Sequence, residues 1–324
     1  MTTMNDDRPL QPSANNQMEA PVEKDFSNGN YGNVGHQHLD SNMEGGAALN
    51  RIRTAGSISI SPELFEKLYL SPENKVAGEL RKTFGNPTPL ALIGFLLSLT
   101  PLSCDLMGWR GAGGNGASDI GVYFFFGGLL MIIGSVGEWI IGNTFPFVVF
   151  GTFGAFWLSF GATLQPFYNA YGSYVTNPTE AASQMGQPGN PLGLQQPAFN
   201  ASFAFFLLFM GFVCLIFLIC SLRTNVAFFI IFLSLVGAFC CLAAAYWNLA
   251  LAYENPTNTT AAMKASKLTV AGGAFTFVTS MAGWWIFFAI MLASLDFPFN
   301  IPVGDLSHII KGASQKRKMK EHDV

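Results

Sequence analysis

The chain has 324 residues, of which 50% are hydrophobic, 14% aromatic and only 11% charged, with a formal net charge of −3. Soluble domains carry about 25% charged residues. Together with a mean hydropathy of +0.34, this excludes an ordinary soluble enzyme or binding module and points to a polytopic membrane protein. The small net charge says little about partners and gives no sign of nucleic acid.

Residues 1–60 begin "MTTMNDDRPLQPSANNQMEA", polar and without the apolar core of a signal peptide, and are expected to form a disordered cytoplasmic tail. Over 61–85 the triplet Ser-Pro-Glu occurs twice, at 61–63 and 71–73. Each offers a cap, a proline for the first helical position and an acid for the first turn. Two short amphipathic cap helices are predicted there, with Leu64, Phe65, Leu68 and Tyr69 on one side, lying on the cytoplasmic interface.

Six apolar runs of membrane-spanning length follow within a transporter domain at 86–306: 89–108, 120–141, 145–166, 199–221, 226–252 and 269–295. The separators "RGAGGNGASD" (110–119), "GNT" (142–144), "RTN" (223–225) and "ENPTNTTAAMKASK" (254–267) are polar or turn-rich, and 167–198 reads as a loop. Residues 307–324 form a basic tail with Lys311, Lys316, Arg317, Lys318 and Lys320. With Lys67, Lys75, Arg81 and Lys82 before the first span, this places both termini in the cytoplasm; Lys264 and Lys267 dissent mildly. The sequon Asn258-Thr259-Thr260 then falls in an external loop, whereas Asn200-Ala201-Ser202 sits too close to a span to count.

The first span opens "NPTPLALIGF" and keeps Pro101 in its middle. Pro87 and Pro89 suit a first turn whose N–H groups lack helical partners, and Asn86 can cap it. Pro101 frees the carbonyl of Leu97, which Ser98 or Thr100 can help to satisfy, and a kink facing other helices is expected. The five cysteines lie in apolar runs and are expected to be buried fillers, without metal-ligand spacing. Gly127, Gly128, Gly134 and Gly137, with Gly151, Gly154 and Ala155, make smooth faces for close packing within or between protomers. No nucleophile with a histidine partner, phosphate-cradling loop or cofactor motif is present, so no catalysis and no cofactor are expected.

These residues resemble a known family. Asn86, Pro87, Pro89 and Leu90 are similar to the NPAPLGL signature of the acetate uptake transporters, the succinate–acetate permease or YaaH-type proteins, and the chain looks like a divergent, fungal-like member. "FFFGGLLMIIGSVGEWIIGNTF" (124–145), "TFGAFW" (152–157), "RTNVAFF" (223–229) and "IPVGDL" (301–306) follow the same family in order. The resemblance implies an all-α protomer of six transmembrane helices, assembled as a homohexamer in the plasma membrane. It also implies passage of acetate or similar short monocarboxylates, with proton coupling in several members. An apolar gate of Phe, Tyr and Leu is implied at Phe95, Phe153 and Leu235, with phenylalanine replacing the usual tyrosine at 153. Ser98 and Leu99 stand where the family has two threonines, and Met131 where it has glutamine. Trp284-Trp285 replaces Trp-Tyr. Leu99, Met131 and Phe153 therefore remove hydrogen-bonding groups from expected pathway positions.

Glu138, an acid within the second span, has two readings: proton coupling, or a structural role in reach of water or Arg223. Asp105 and Asp296 read as interfacial anchors. Asn248, Thr276 and Thr279 either line a path or bind helices together. Three functions stay open: passage of an acetate-like acid, perhaps in protonated form; a conduit for a small neutral solute such as ammonia; and a non-transporting scaffold or sensor.

Overall fold

The computed structural model describes residues 80–175 and 189–306, with the side chains of residues 81, 82 and 115 left aside. The predicted tails, the cap helices before residue 80 and the middle of the 167–198 loop lie outside the described residues. After a four-residue helical turn, Leu80–Thr83, come six helices long and apolar enough to cross a membrane. They are α1 (Thr88–Met107), α2 (Gly116–Ile140), α3 (Thr144–Leu164), α4 (Pro197–Ser221), α5 (Val226–Glu254) and α6 (Thr259–Ser294). All six expected spans are present.

Two boundaries correct the sequence expectation. The segment 110–119, expected as a loop, is built of tight 3₁₀ turns, and its last residues already open α2. Helix α6 begins ten residues before the expected 269, so Lys264 and Lys267 are exposed on a helix rather than in a loop. Its 36 residues extend about 54 Å at 1.5 Å per residue, against a hydrocarbon core of roughly 30 Å. Asn258 of the sequon caps α6, its side-chain oxygen accepting from Ala261 N at 3.1 Å. Asn200 lies inside α4, buried, donating to the carbonyls of Leu194 and Gln196 at 2.9 Å.

The start of α1 follows proline chemistry. Asn86 Oδ1 accepts from Thr88 N at 2.9 Å, and the prolines occupy positions where no helical N–H bond is lost. Past Pro101 the span remains one continuous helix to Met107. Neither hydroxyl turns to Leu97: Ser98 Oγ donates to Gly94 O at 3.0 Å and Thr100 Oγ1 to Leu96 O at 2.7 Å. Support for this turn comes from across the bundle, where Trp284 Nε1 of α6 donates to Thr100 Oγ1 at 3.1 Å.

Helices α1, α2 and α3 approach closely because glycines line their seams. A methyl group on Gly134 would stand 2.7 Å from Ala91 Cβ, and one on Gly137 2.6 Å from Pro87 Cβ. These glycines therefore serve packing within the protomer. Between Tyr123 and Leu130, α2 widens into π-helical turns, where Gly94 of α1 presses against the carbonyl of Phe126. Helices α3 and α4 instead meet through rings, with Phe156 to Phe206 at 5.8 Å and Phe160 to Phe203 at 6.4 Å between centroids. Helix α5 joins α4 to α6, and α6 packs back on α1, which closes the bundle around a centre.

Cysteines depart from expectation. Only Cys214 is fully buried, while Cys220 and Cys240 are exposed on the outer surface. They face outward because α4 and α5 are apolar all round, so hydrophobicity alone could not separate inward from outward positions. Asp296 ends α6 exposed, in a left-handed conformation at φ 48°.

Candidate functional site: an apolar throat

The bundle centre holds a cavity of about 30 Å³, room for no more than a water or two. Phe95, Leu99, Leu102 and Leu106 line it from α1, Phe153, Phe156 and Trp157 from α3, Leu235, Ala238, Phe239 and Leu242 from α5, and Thr276 from α6. The four expected positions Phe95, Leu99, Phe153 and Leu235 thus converge on one space. Phe95 meets Phe153 edge-on, with centroids 5.7 Å apart at 65°. The single aliphatic hydroxyl of the lining, Thr276 Oγ1, donates to Gly273 O at 2.8 Å.

Toward the Asn86 end the throat is closed by further rings. Phe153 lies 6.5 Å from Phe217, Phe217 lies 5.5 Å from Phe232, and both Phe217 and Phe232 lie about 6 Å from Phe145. Sequence reading missed Phe145, Phe217 and Phe232. The chain contains 31 phenylalanines, and no local pattern marks the few that meet in the middle.

Other expected pathway residues sit elsewhere. Ser98 turns toward α2, with its hydroxyl also 3.4 Å from Val122 O. Met131 is buried between Gly94 of α1 and Gly154 of α3, outside the cavity lining. Thr279 acts as a tie, its hydroxyl 2.8 Å from Ser234 Oγ on α5. Asn248 donates to Ala244 O in its own helix at 2.8 Å. Leu90 points outward, while Pro87 packs under Gly137. Asp105 is no simple anchor: it is half-buried, with its Oδ2 enclosed.

Glu138 is wholly enclosed at the Asn86 end of α2. Thr88 Oγ1 donates to its Oε1, and Asn143 Nδ2 donates to its Oε2 at 2.6 Å. This network ties the start of α1, the end of α2 and the start of α3 at one point. Thr88 falls within the stretch that resembles the family signature, and its hydroxyl is held against Glu138.

At the same end two other landmark stretches meet. Val226 N donates to Gly304 O at 2.8 Å and Leu306 N to Thr224 O at 3.0 Å, joining residues 224–226 to 304–306 in a short antiparallel bridge. The motif-bearing segments of the sequence therefore gather at one end of one bundle. The GPR1/FUN34/yaaH family profile matches residues 69–308. The chain belongs to the GPR1/FUN34/yaaH family.

Among its relatives in this family, protein alcS of Aspergillus fumigatus is 46% identical over 261 residues, covering 81% of this chain and 89% of alcS. The acetate transporter protein patA of Aspergillus clavatus is 30% identical, covering 69% of this chain and 80% of patA. The solved structure of the bacterial acetate channel SatP aligns at 21% identity with a TM-score of 0.47, over 68% of this chain and 99% of that one. Family membership makes this chain a multi-pass membrane protein of a group that includes acetate transporters. Among the described residues no three metal-ligating side chains come together.

The throat's chemistry is restrictive. An ionised carboxylate moved from water into a space without donors loses most of its solvation, a penalty of tens of kcal/mol in the limit. A neutral acid loses only one or two hydrogen bonds, roughly 2–7 kcal/mol before any compensation.

Proposed function

We propose that this protein passes acetate or a similar short monocarboxylic acid across the plasma membrane, with the undissociated acid crossing the throat formed by Phe95, Leu99, Phe153 and Leu235. The observation that carries this reading is the central cavity's lining of aromatic and aliphatic side chains, whose one aliphatic hydroxyl is engaged by Gly273 and whose one indole N–H, that of Trp157, is itself enclosed. The acetate transporter patA, with which this chain shares 30% identity, supports the substrate class. A proton travels with each acid molecule as part of it, so uptake is formally proton-coupled without a separate proton path. The chain works as a homohexamer with both termini in the cytoplasm. The basic residues flanking the Asn86 end (Lys67, Lys75, Arg81, Lys82 and Arg223) support that orientation.

The test is uptake of labelled acetate into cells lacking other acetate carriers. At fixed total acetate, the protein-dependent rate should fall about tenfold per pH unit from pH 6 to pH 7, following the undissociated fraction. Phe153→Ala should raise the rate by removing the ring that meets both Phe95 and Phe217. A rate that ignores pH and instead follows membrane potential would overturn the neutral-acid reading. Flux of ammonia without flux of acetate would assign the throat to another neutral solute, and flux of neither would leave a scaffold.

A further inference from the structure

Beyond the throat, three polar atoms of the described residues are enclosed without a hydrogen-bond partner in one neighbourhood: Asp105 Oδ2 on α1, Tyr123 Oη on α2 and Trp157 Nε1 on α3. Tyr123 and Trp157 are completely buried. Their rings stack, with centroids 5.0 Å apart at 20°. Gly116, at φ 68°, is the floor beneath the other two: a methyl group on it would stand 2.1 Å from Tyr123 Oη and 3.2 Å from Asp105 Oδ2. Leu102, which that methyl would also meet at 2.9 Å, and Trp157 both line the throat. The three atoms therefore lie one layer from the cavity, on its Met107 side. Enclosed polar groups are rarely left unmatched, because each costs as much as a lost hydrogen bond.

We propose that Asp105, Tyr123 and Trp157 form a second binding site, which takes the undissociated form of a short carboxylic acid before it enters the throat. The proposal rests on the acid-conducting reading above and names where the neutral form is selected. The donor inventory decides the ligand. Indole N–H can only donate and an ionised carboxylate can only accept, while the phenol does either. A neutral carboxylic acid complements all three: its carbonyl oxygen accepts from Trp157 or Tyr123, and its hydroxyl donates to Asp105. An acetate anion meets Asp105 as a like charge, and Asp119, which acts electrostatically on both Asp105 and Tyr123, adds a second. An ammonium ion suits the carboxylates but leaves the indole N–H without an acceptor. From α3 the neighbours of Tyr123 are Trp157 and Phe160, neither of which carries charge.

The experiment uses the full chain in proteoliposomes, with labelled acetate over a range of concentration and pH. Tyr123→Phe should raise the KM for acetate about tenfold at pH 5, with the maximal rate within about twofold of the parent, as expected for one lost hydrogen bond. In the parent, the KM for total acetate should rise about tenfold per pH unit between pH 6 and pH 7. Asp105→Asn removes the like charge while keeping an acceptor, so this rise should flatten. A purely structural role for Asp105 would leave the pH slope unchanged. An unchanged KM in Tyr123→Phe, an unchanged slope in Asp105→Asn, or competition by methylammonium would each overturn the site.

Should the parent carry no acid at all, the conducting reading fails, and a binding measurement decides the site separately. Acetic acid at pH 5 should then quench the tryptophan fluorescence of the detergent-solubilised chain saturably. That quench should disappear in Trp157→Phe and need about tenfold more acid in Tyr123→Phe, with size-exclusion profiles confirming folded protein. Absence of a saturable quench in the parent overturns the site.

Discussion

Thr88 shows how one hydroxyl sets the character of a whole corner. It is enclosed, and its hydroxyl donates to a carboxylate that is itself fully buried and held from the other side by Asn143. Removing one partner of a buried polar group exposes the cost of desolvating what remains, about 1–3 kcal/mol. Thr88→Ala should therefore lower the thermal midpoint of the purified protein by several degrees. Glu138→Gln should be milder than Glu138→Ala, because an amide can accept from Asn143 and donate to Thr88. Thermal unfolding followed in detergent gives the order: if Glu138→Gln unfolds as early as Glu138→Ala, the pair of hydrogen bonds is not what stabilises this corner. The sequence made Glu138 conspicuous as an acid inside an apolar run, but it could not reveal that Thr88 and Asn143 converge on it. Those residues are 50 and 5 positions away, and only the antiparallel return of α2 brings the first of them near.

At the scale of elements, the spans were legible because twenty or more apolar residues in a row have one stable solution in lipid, a helix. What was not legible follows from forces other than hydropathy. Helix α6 starts early because Ala261, Ala262, Met263 and Lys264 are good helix formers, although Thr259, Thr260, Lys264, Ser266 and Lys267 break an apolar window. The wide turns of α2 between Tyr123 and Leu130 answer to contact with Gly94, which leaves no local trace. The bridge between residues 224–226 and 304–306 is another long-range feature, and it rests on one backbone conformation. Gly304 sits at φ 71°, and a methyl group there would stand 2.7 Å from Val226 Cγ2. The left-handed region alone costs a non-glycine residue roughly 1–2 kcal/mol, and the clash adds to it. Gly304→Ala should release the segment from the start of α5. Limited proteolysis should then cut between Pro298 and Leu306 faster than in the parent, while the six-helix core stays intact. An unchanged cleavage rate would mean that Trp285, whose indole donates to Pro302 O at 2.9 Å, holds the segment by itself.

For the whole molecule, the described structure begins and ends on one side of the bundle. Thr88, Glu138 and Asn143 gather the ends of α1, α2 and α3, and Phe145 of α3 reaches Phe217 and Phe232, near the end of α4 and the start of α5. The 224–226 to 304–306 bridge then adds the residues after α6. Six crossings return the chain to its starting side, and the opposite side carries the long α5–α6 hairpin with Glu254, Lys264 and Lys267 exposed. The throat proposed between these two faces rests on this arrangement, in which Phe95 of α1, Phe153 of α3 and Leu235 of α5 line one cavity. Single cysteines placed at Lys82 and Lys311 in a background without the native five should react with a membrane-impermeant maleimide from the same side. One placed at Lys264 should react from the other. In intact cells, the orientation with both termini cytoplasmic predicts labelling at 264 alone, with 82 and 311 labelled only after permeabilisation. Labelling of 82 and 311 from opposite sides would require an odd number of crossings, and the residues assigned to the throat would no longer share a path.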